Sequence, residues 1–121
     1  MENKVPTIGQ LKNQLGTEYR ICTIDCERCL YRDFGNGFNV EISGVNSRRK
    51  GHKVTLYLWY GEKSPGCIIV KTVRDIERSA KAISIEIENL KNYSNSLIEN
   101  GCNNRDAIIN MLHPEFQRRI S

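Results

Sequence analysis

Long apolar runs are missing from this chain. No window approaches the roughly eighteen continuous apolar residues that a membrane span requires, and the opening stretch MENKVPTIGQL carries no apolar run of signal-peptide length. The expectation is a cytoplasmic protein with no membrane contact. Histidine is scarce: His52 sits in a basic stretch and His113 precedes a proline, neither beside a serine, cysteine or carboxylate that would make it a catalytic base. No P-loop, G-x-G-x-x-G, G-x-S-x-G or H-E-x-x-H occurs, so phosphate-cradling, acyl-transfer and zinc-protease chemistry have no readable starting point. The expectation is a chain that is not an enzyme and takes no cofactor. Repeats, low-complexity tracts and linkers are also missing from its 121 residues, a length that suits one compact domain over 1–121. Charge is only mildly one-sided, 18 basic against 14 acidic residues for a formal +4. That balance favours an anionic partner without the bias of a dedicated nucleic-acid binder.

Cysteine is present, in an odd number, five. Without a secretory signal these thiols are expected reduced, packed as small hydrophobes. Three fall in CTIDCERC, the C-x3-C-x2-C of Cys22, Cys26 and Cys29. That spacing is the cluster motif of radical S-adenosylmethionine enzymes, but only the spacing matches. Arg28 stands where an aromatic is common, and Cys22 lies in an alternating strand rather than a loop. A zinc site on Cys26 and Cys29 would need two further ligands, and Cys67, Cys102, His52 and His113 are scattered singly. Free thiols are the expectation, with no metal. Asp25, Glu27 and Asp33 are a further set that suits a divalent ion, although carboxylates in turns are ordinarily just solvated.

The apolar residues change period along the chain. In PTIGQLKNQLG, Thr7 with Gln10 makes a capping box, Ile8, Leu11 and Leu15 recur at helical steps, and Gly16 ends a helix over residues 8–15. YRICTID and CLYRDF alternate as strands around a turn at Asp25 to Arg28, and FGNGF places a hairpin tip between Phe34 and Phe38. In FNVEISG, Phe38, Val40 and Ile42 share one face; in VTLYLWY, Val54, Leu56, Leu58 and Tyr60 do the same, leaving Tyr57 and Trp59 on the other. After the EKSPG turn comes a strand, CIIVKTV. Helical steps then run through Ile76, Ala80, Ile83, Ile87, Leu90 and Leu97, predicting a helix from about Asp75 to Glu99 that begins at Thr72 or Val73 and stops at Gly101. Asn103 and Asp106 open a last helix, NRDAIINML, broken at His113-Pro114 before a short EFQRRI segment. The predicted fold is α+β: a short N-terminal helix, a four- to five-stranded antiparallel sheet, a long helix packed on one sheet face, and a C-terminal helical segment.

Two surface features stand out as candidate binding residues. Arg48, Arg49, Lys50, His52 and Lys53 concentrate positive charge in one strand connection. Tyr57 and Trp59 face away from the long helix, where rings either stack on bases or anchor a protein contact, unless a terminal helix covers them. Failing both, the helical side around Arg74, Arg78 and Lys81 is the next place to look. The steps from Ile76 to Leu97 also suit a homo-oligomeric seam, although packing on the sheet accounts for them equally.

In size, Asn- and Lys-rich composition, lack of catalytic apparatus and helix–sheet–helix layout, the chain resembles the small accessory proteins of phages and mobile elements in low-GC bacteria, of which anti-CRISPR inhibitors are the best-known sort. The resemblance implies a binding protein that occupies a surface on an RNA-guided nuclease and blocks its nucleic-acid handling. The alternative is a small nucleic-acid-binding module using the basic loop and the aromatic face. A second alternative is a zinc-binding protein through Cys26 and Cys29.

Overall fold

The computed structural model describes residues 6–61 and 66–113. The expected EKSPG turn, apart from Gly66, and the closing EFQRRI segment lie outside them. The chain runs α1 (Ile8–Leu15), β1 (Arg20–Ile24), β2 (Glu27–Asp33), β3 (Phe38–Ser43), β4 (Val54–Tyr60), β5 (Ile68–Ile76), α2 (Ala80–Glu99) and α3 (Arg105–Leu112). The five strands form one antiparallel meander in the order β1-β2-β3-β4-β5. The fold is α+β, with the helices on one face of the sheet.

Helix α1 starts where its capping box requires: Thr7 Oγ1 accepts from the Gln10 amide at 3.1 Å while Gln10 Oε1 accepts from the Thr7 amide at 2.9 Å. The FGNGF hairpin closes through the Phe34 amide on the Phe38 carbonyl at 3.0 Å, and Gly35 and Gly37 take the left-handed φ of 77° and 92° that the tip demands. Asn36 then ties this tip to α2, its Nδ2 donating to Ser94 Oγ and Asn95 Oδ1.

The core lies where the period-2 and period-3.6 stripes meet. Phe38, Val40, Ile42, Val54, Leu56 and Leu58 from the sheet pack in one cluster with Ile83, Ile87, Leu90 and Leu97 of α2, Ile8 and Leu11 of α1, and Ile108 of α3. Each fully buried side chain of this kind contributes about 1.5–3 kcal/mol over leaving it in water. Tyr60 joins the same side, its ring edge-on to Phe38 at 5.0 Å and its hydroxyl donating to the Asn103 carbonyl.

Three expected boundaries shift: α3 is capped by Asn104, whose Oδ1 accepts from the Ala107 amide, rather than by Asn103, and two others move further. The turn expected over Asp25 to Arg28 is only two residues, because Ile24 pairs directly with Glu27. Asp25 and Cys26 both adopt left-handed φ, 50° and 65°, the geometry of a type I′ hairpin, which Asn-Gly would have announced and Asp-Cys does not. The long helix does not begin at Thr72 or Val73. β5 continues to Ile76, with Val73 paired to Leu56 and Ile76 to Val54, and Asp75 takes a φ of 60° where the register shifts. Ser79 caps α2, its Oγ accepting from the Ala82 amide. The step from Ile76 to Ala80 to Ile83 mimics helical spacing, but in IIVKTV the β-branched residues complete the sheet ladder instead. α2 is therefore 20 residues, about 30 Å, and Gly101 turns the chain into α3.

Candidate functional site

Because α1, α2 and α3 all share the inner core, no described helix lies on the outer sheet face. The alternative in which a terminal helix covers Tyr57 and Trp59 does not hold for α1 or α3: α3 turns its buried Ile108 into the inner core, and neither helix lies over the aromatic face. Alternation places Asn39, Glu41 and Ser43 of β3 outward. Register then sets Glu41 opposite Tyr31 on β2 and Tyr57 on β4, with Asn39 opposite Trp59 and Trp59 opposite Ile69.

Glu41 is the centre of this face. Trp59 Nε1 donates diagonally across the ladder to Glu41 Oε1 at 3.1 Å, and the buried Cys29 thiol approaches Glu41 Oε2 at 3.8 Å. Nearby, Glu27 accepts from Ser43 Oγ at 2.7 Å, from the Gly44 amide at 3.3 Å, and from Cys29 Sγ at 3.6 Å. Glu41 is only 7% exposed, and no cation pairs with it among the described residues. Burial pushes its carboxyl above the usual range; the hydrogen bonds from Trp59 and Cys29 oppose this and the charges of Glu27 and Asp25 reinforce it. The Cys29 thiol is pushed up to about 12, by burial first and then by Glu27 and Glu41. Cys29 is therefore a buried, protonated neighbour rather than a nucleophile.

Around this carboxylate the face is concave. A hollow of about 300 Å³ is lined by Ile24, Glu27, Tyr57, Trp59 and Ile69, and one of about 470 Å³ by Tyr31, Asn39, Trp59 and Cys67. Asp25, Glu41, Ile24 and Trp59 border both, so the two are halves of one groove flanking the indole.

Of the predicted binding residues, Tyr57 and Trp59 line the groove, and Arg48, Arg49, Lys50, His52 and Lys53 do not. All five basic residues are exposed in the β3–β4 connection. What holds that connection is Arg78, which is 8% exposed and thus no surface contact residue. Its guanidinium donates to three loop carbonyls: Gly44 at 3.4 Å, Ser47 at 2.5 Å and Arg49 at 3.0 Å. The groove is thus lined by acidic, aromatic and apolar residues, and the five basic residues lie outside its lining, in a connection held by Arg78.

The cysteines are distributed by the hairpin. Cys22 pairs directly opposite Cys29, Cys26 is exposed at the turn, and all five thiols are free. Among the described residues, no three of His, Cys, Asp and Glu are grouped to hold a metal ion. Asp33, the third member of the divalent set, instead caps the next hairpin by accepting from the Gly35 amide at 2.8 Å. Glu41, Tyr31, Ile24 and Ile69 were not singled out by sequence reasoning. The available signal was the outward phase of Glu41 in FNVEIS, but its meeting with Trp59 depends on strand register. No helix of the described residues is long and apolar enough to cross a membrane. Compared with protein-family models, curated proteins and solved structures, the chain matches none.

Proposed function

We propose that this chain is a non-catalytic binding protein that recognises a basic surface of a partner protein through the open face of its sheet. One observation carries the reading: a concave aromatic face built over Glu41, a buried carboxylate with no cationic partner among the described residues, with Asp25 and Glu27 at its border. Burying an unpaired charge costs stability, so its position on an otherwise open face fits a partner that brings the compensating charge. The same negative charge repels a phosphate backbone and disfavours nucleic acid at this face. Proteins that handle nucleic acid present basic grooves built for phosphate. An inhibitor of an RNA-guided nuclease, of the anti-CRISPR sort, is a setting that joins this chemistry to the resemblance in size and layout.

A second reading rests on Arg78. By fixing the backbone of the β3–β4 connection it holds Arg48, Arg49, Lys50 and Lys53 on a set scaffold, which suits contact with phosphates. The two readings separate in a capture experiment from bacterial lysate with and without nuclease treatment, with bound proteins identified by mass spectrometry. The first reading expects a protein with a basic surface to be retained by the wild type and by the Arg48, Arg49, Lys50, Lys53→Ala variant, and lost with Tyr57→Ala or Trp59→Ala. An anchor of this kind is worth about 2 kcal/mol or more, roughly 30-fold in affinity. Retention that disappears on nuclease treatment and on neutralising the loop, with both aromatic variants unaffected, refutes it in favour of the second.

A further inference from the structure

Resting on the sheet-face reading, we propose that the groove beside Trp59 is a subsite for one arginine side chain of the partner, whose guanidinium pairs with Glu41 while its stem lies against the indole and Ile69. Four features of the groove specify this occupant. First, Glu41 has acceptor capacity left over: a carboxylate offers about four lone-pair positions, and here Oε1 takes the Trp59 indole and Oε2 a weak thiol contact. Second, among the described residues the charges acting on that carboxylate are negative. Glu27 comes from the start of β2 and Asp25 from the hairpin turn, while Tyr31, Tyr57, Trp59 and Cys29 contribute no positive charge. A cation is therefore the charge type that lowers the energy of the site.

Third, the walls suit a long basic side chain rather than a free ion. Trp59 and Tyr57 contribute aromatic rings, and Ile24 and Ile69 offer apolar surface, with Ile69 itself 42% exposed. Such a lining takes up a methylene stem while the charged end reaches the carboxylate. The hollows, about 300 and 470 Å³, lie at the lower end of the range of about 300–1,000 Å³ for small-molecule sites. Fourth, the planar guanidinium favours arginine over lysine, because it is more weakly hydrated, stacks on rings and presents a fork to a carboxylate. The outer face already displays the contact type at its edge, where the Arg20 guanidinium lies 4.5 Å from the Tyr31 ring centroid.

Trp59 is the chain's single tryptophan, so its indole N–H gives one side-chain signal in a proton–nitrogen correlation spectrum, from the atom that touches Glu41. The probe is acetyl-Gly-Arg-Gly-amide, titrated into the full chain alongside the same peptide carrying lysine and carrying citrulline, the uncharged isostere of arginine. The expected result is a saturable shift of the Trp59 indole signal and of the Glu41 amide with arginine, weaker binding with lysine and none with citrulline. Glu41→Gln, which keeps an acceptor for the indole, should weaken arginine binding at least about tenfold, as expected for loss of a charge-assisted contact. Equal responses to arginine and citrulline overturn the proposal without any variant having to fold, and undiminished binding by folded Glu41→Gln overturns it as well. If a protein partner is captured and lost with Trp59→Ala while the peptides do not discriminate, the arginine subsite fails and the binding reading stands. If the arginine peptide binds through Glu41 and no protein partner is captured, the subsite stands and the partner reading fails.

Discussion

Replacing Arg78 with methionine keeps an apolar stem of similar reach and removes the guanidinium that holds the β3–β4 connection. Three hydrogen bonds go, but they are not equal. The contact to the Gly44 carbonyl at 3.4 Å is long and counts for little, whereas those to Ser47 and Arg49 are short and charge-assisted. Hydrogen bonds to charged groups contribute about 1.5–3 kcal/mol each. The Ser47 and Arg49 carbonyls lie in a loop that water can reach, so both belong at the low end of that range. Removing a buried charge that only carbonyls compensate gives part of this back. The expected net loss is about 2 kcal/mol. With a urea slope of about 2 kcal/mol per molar, that moves the unfolding midpoint down by about 1 M. A local readout is available because the clamped loop carries Arg48, Arg49, Lys50 and Lys53, all trypsin sites. If the loss falls on the loop, the cleavable open form should rise about 30-fold and the cleavage rate with it. Wild-type cleavage rates at this loop together with an unchanged urea midpoint would show that the loop is held by something other than Arg78.

Three further outcomes are expected. Ile83 and Ile87, 0% and 2% exposed, should each cost about 2–5 kcal/mol when truncated to alanine, whereas Ile85, 53% exposed on the same helix, should stay within about 0.5 kcal/mol; equal thermal shifts for all three would refute the assigned helix face. Cys26→Gly should stabilise the protein by about 1 kcal/mol in urea unfolding, because an exposed residue at a φ of 65° is relieved of left-handed strain, and a destabilised variant would contradict the type I′ turn. Glu41 has a folded pKa raised above its unfolded value, so the native state holds its proton more tightly and stability falls as pH climbs from the unfolded value through the folded one. Glu41→Gln should lack that fall and gain on the wild type as pH rises through and above the usual carboxylate range; parallel stability curves would mean that burial of this carboxylate carries no penalty.

Local chemistry made much of the fold legible. Helix α1 was readable to its residue bounds because the Thr7–Gln10 box and Gly16 are short-range signals, and the FGNGF hairpin because Gly-Asn-Gly tolerates positive φ wherever it occurs. The inward rows Phe38–Val40–Ile42 and Val54–Leu56–Leu58 followed from period-2 alternation, and the α2 stripe through Ile83, Ile87, Leu90 and Leu97 from helical spacing. The β5–α2 boundary was not readable in the same way. Ile76, Ala80 and Ile83 satisfy helical steps, and only pairing of Val73 and Ile76 with Leu56 and Val54 decides for the strand.

The site depended on tertiary structure for a related reason. Alternation says that Glu41, Tyr57 and Trp59 point outward, yet a one-residue change of register would part Glu41 from the indole 18 residues away. Nor does sequence show which face the helices choose. That choice is made by the inner core that gathers Ile8, Leu11 and Ile108 beside α2 and leaves the opposite face clear of the described helices. Arg78 shows the same limit from the basic side: in sequence it is one more charge near Arg74 and Lys81, and only the folded chain turns it inward beneath the loop it holds. Short-range conformational preference is written residue by residue. Pairing between distant segments is set by the whole chain burying one apolar surface at once, and both the acidic-aromatic groove and the clamped cationic loop are products of that second kind of decision.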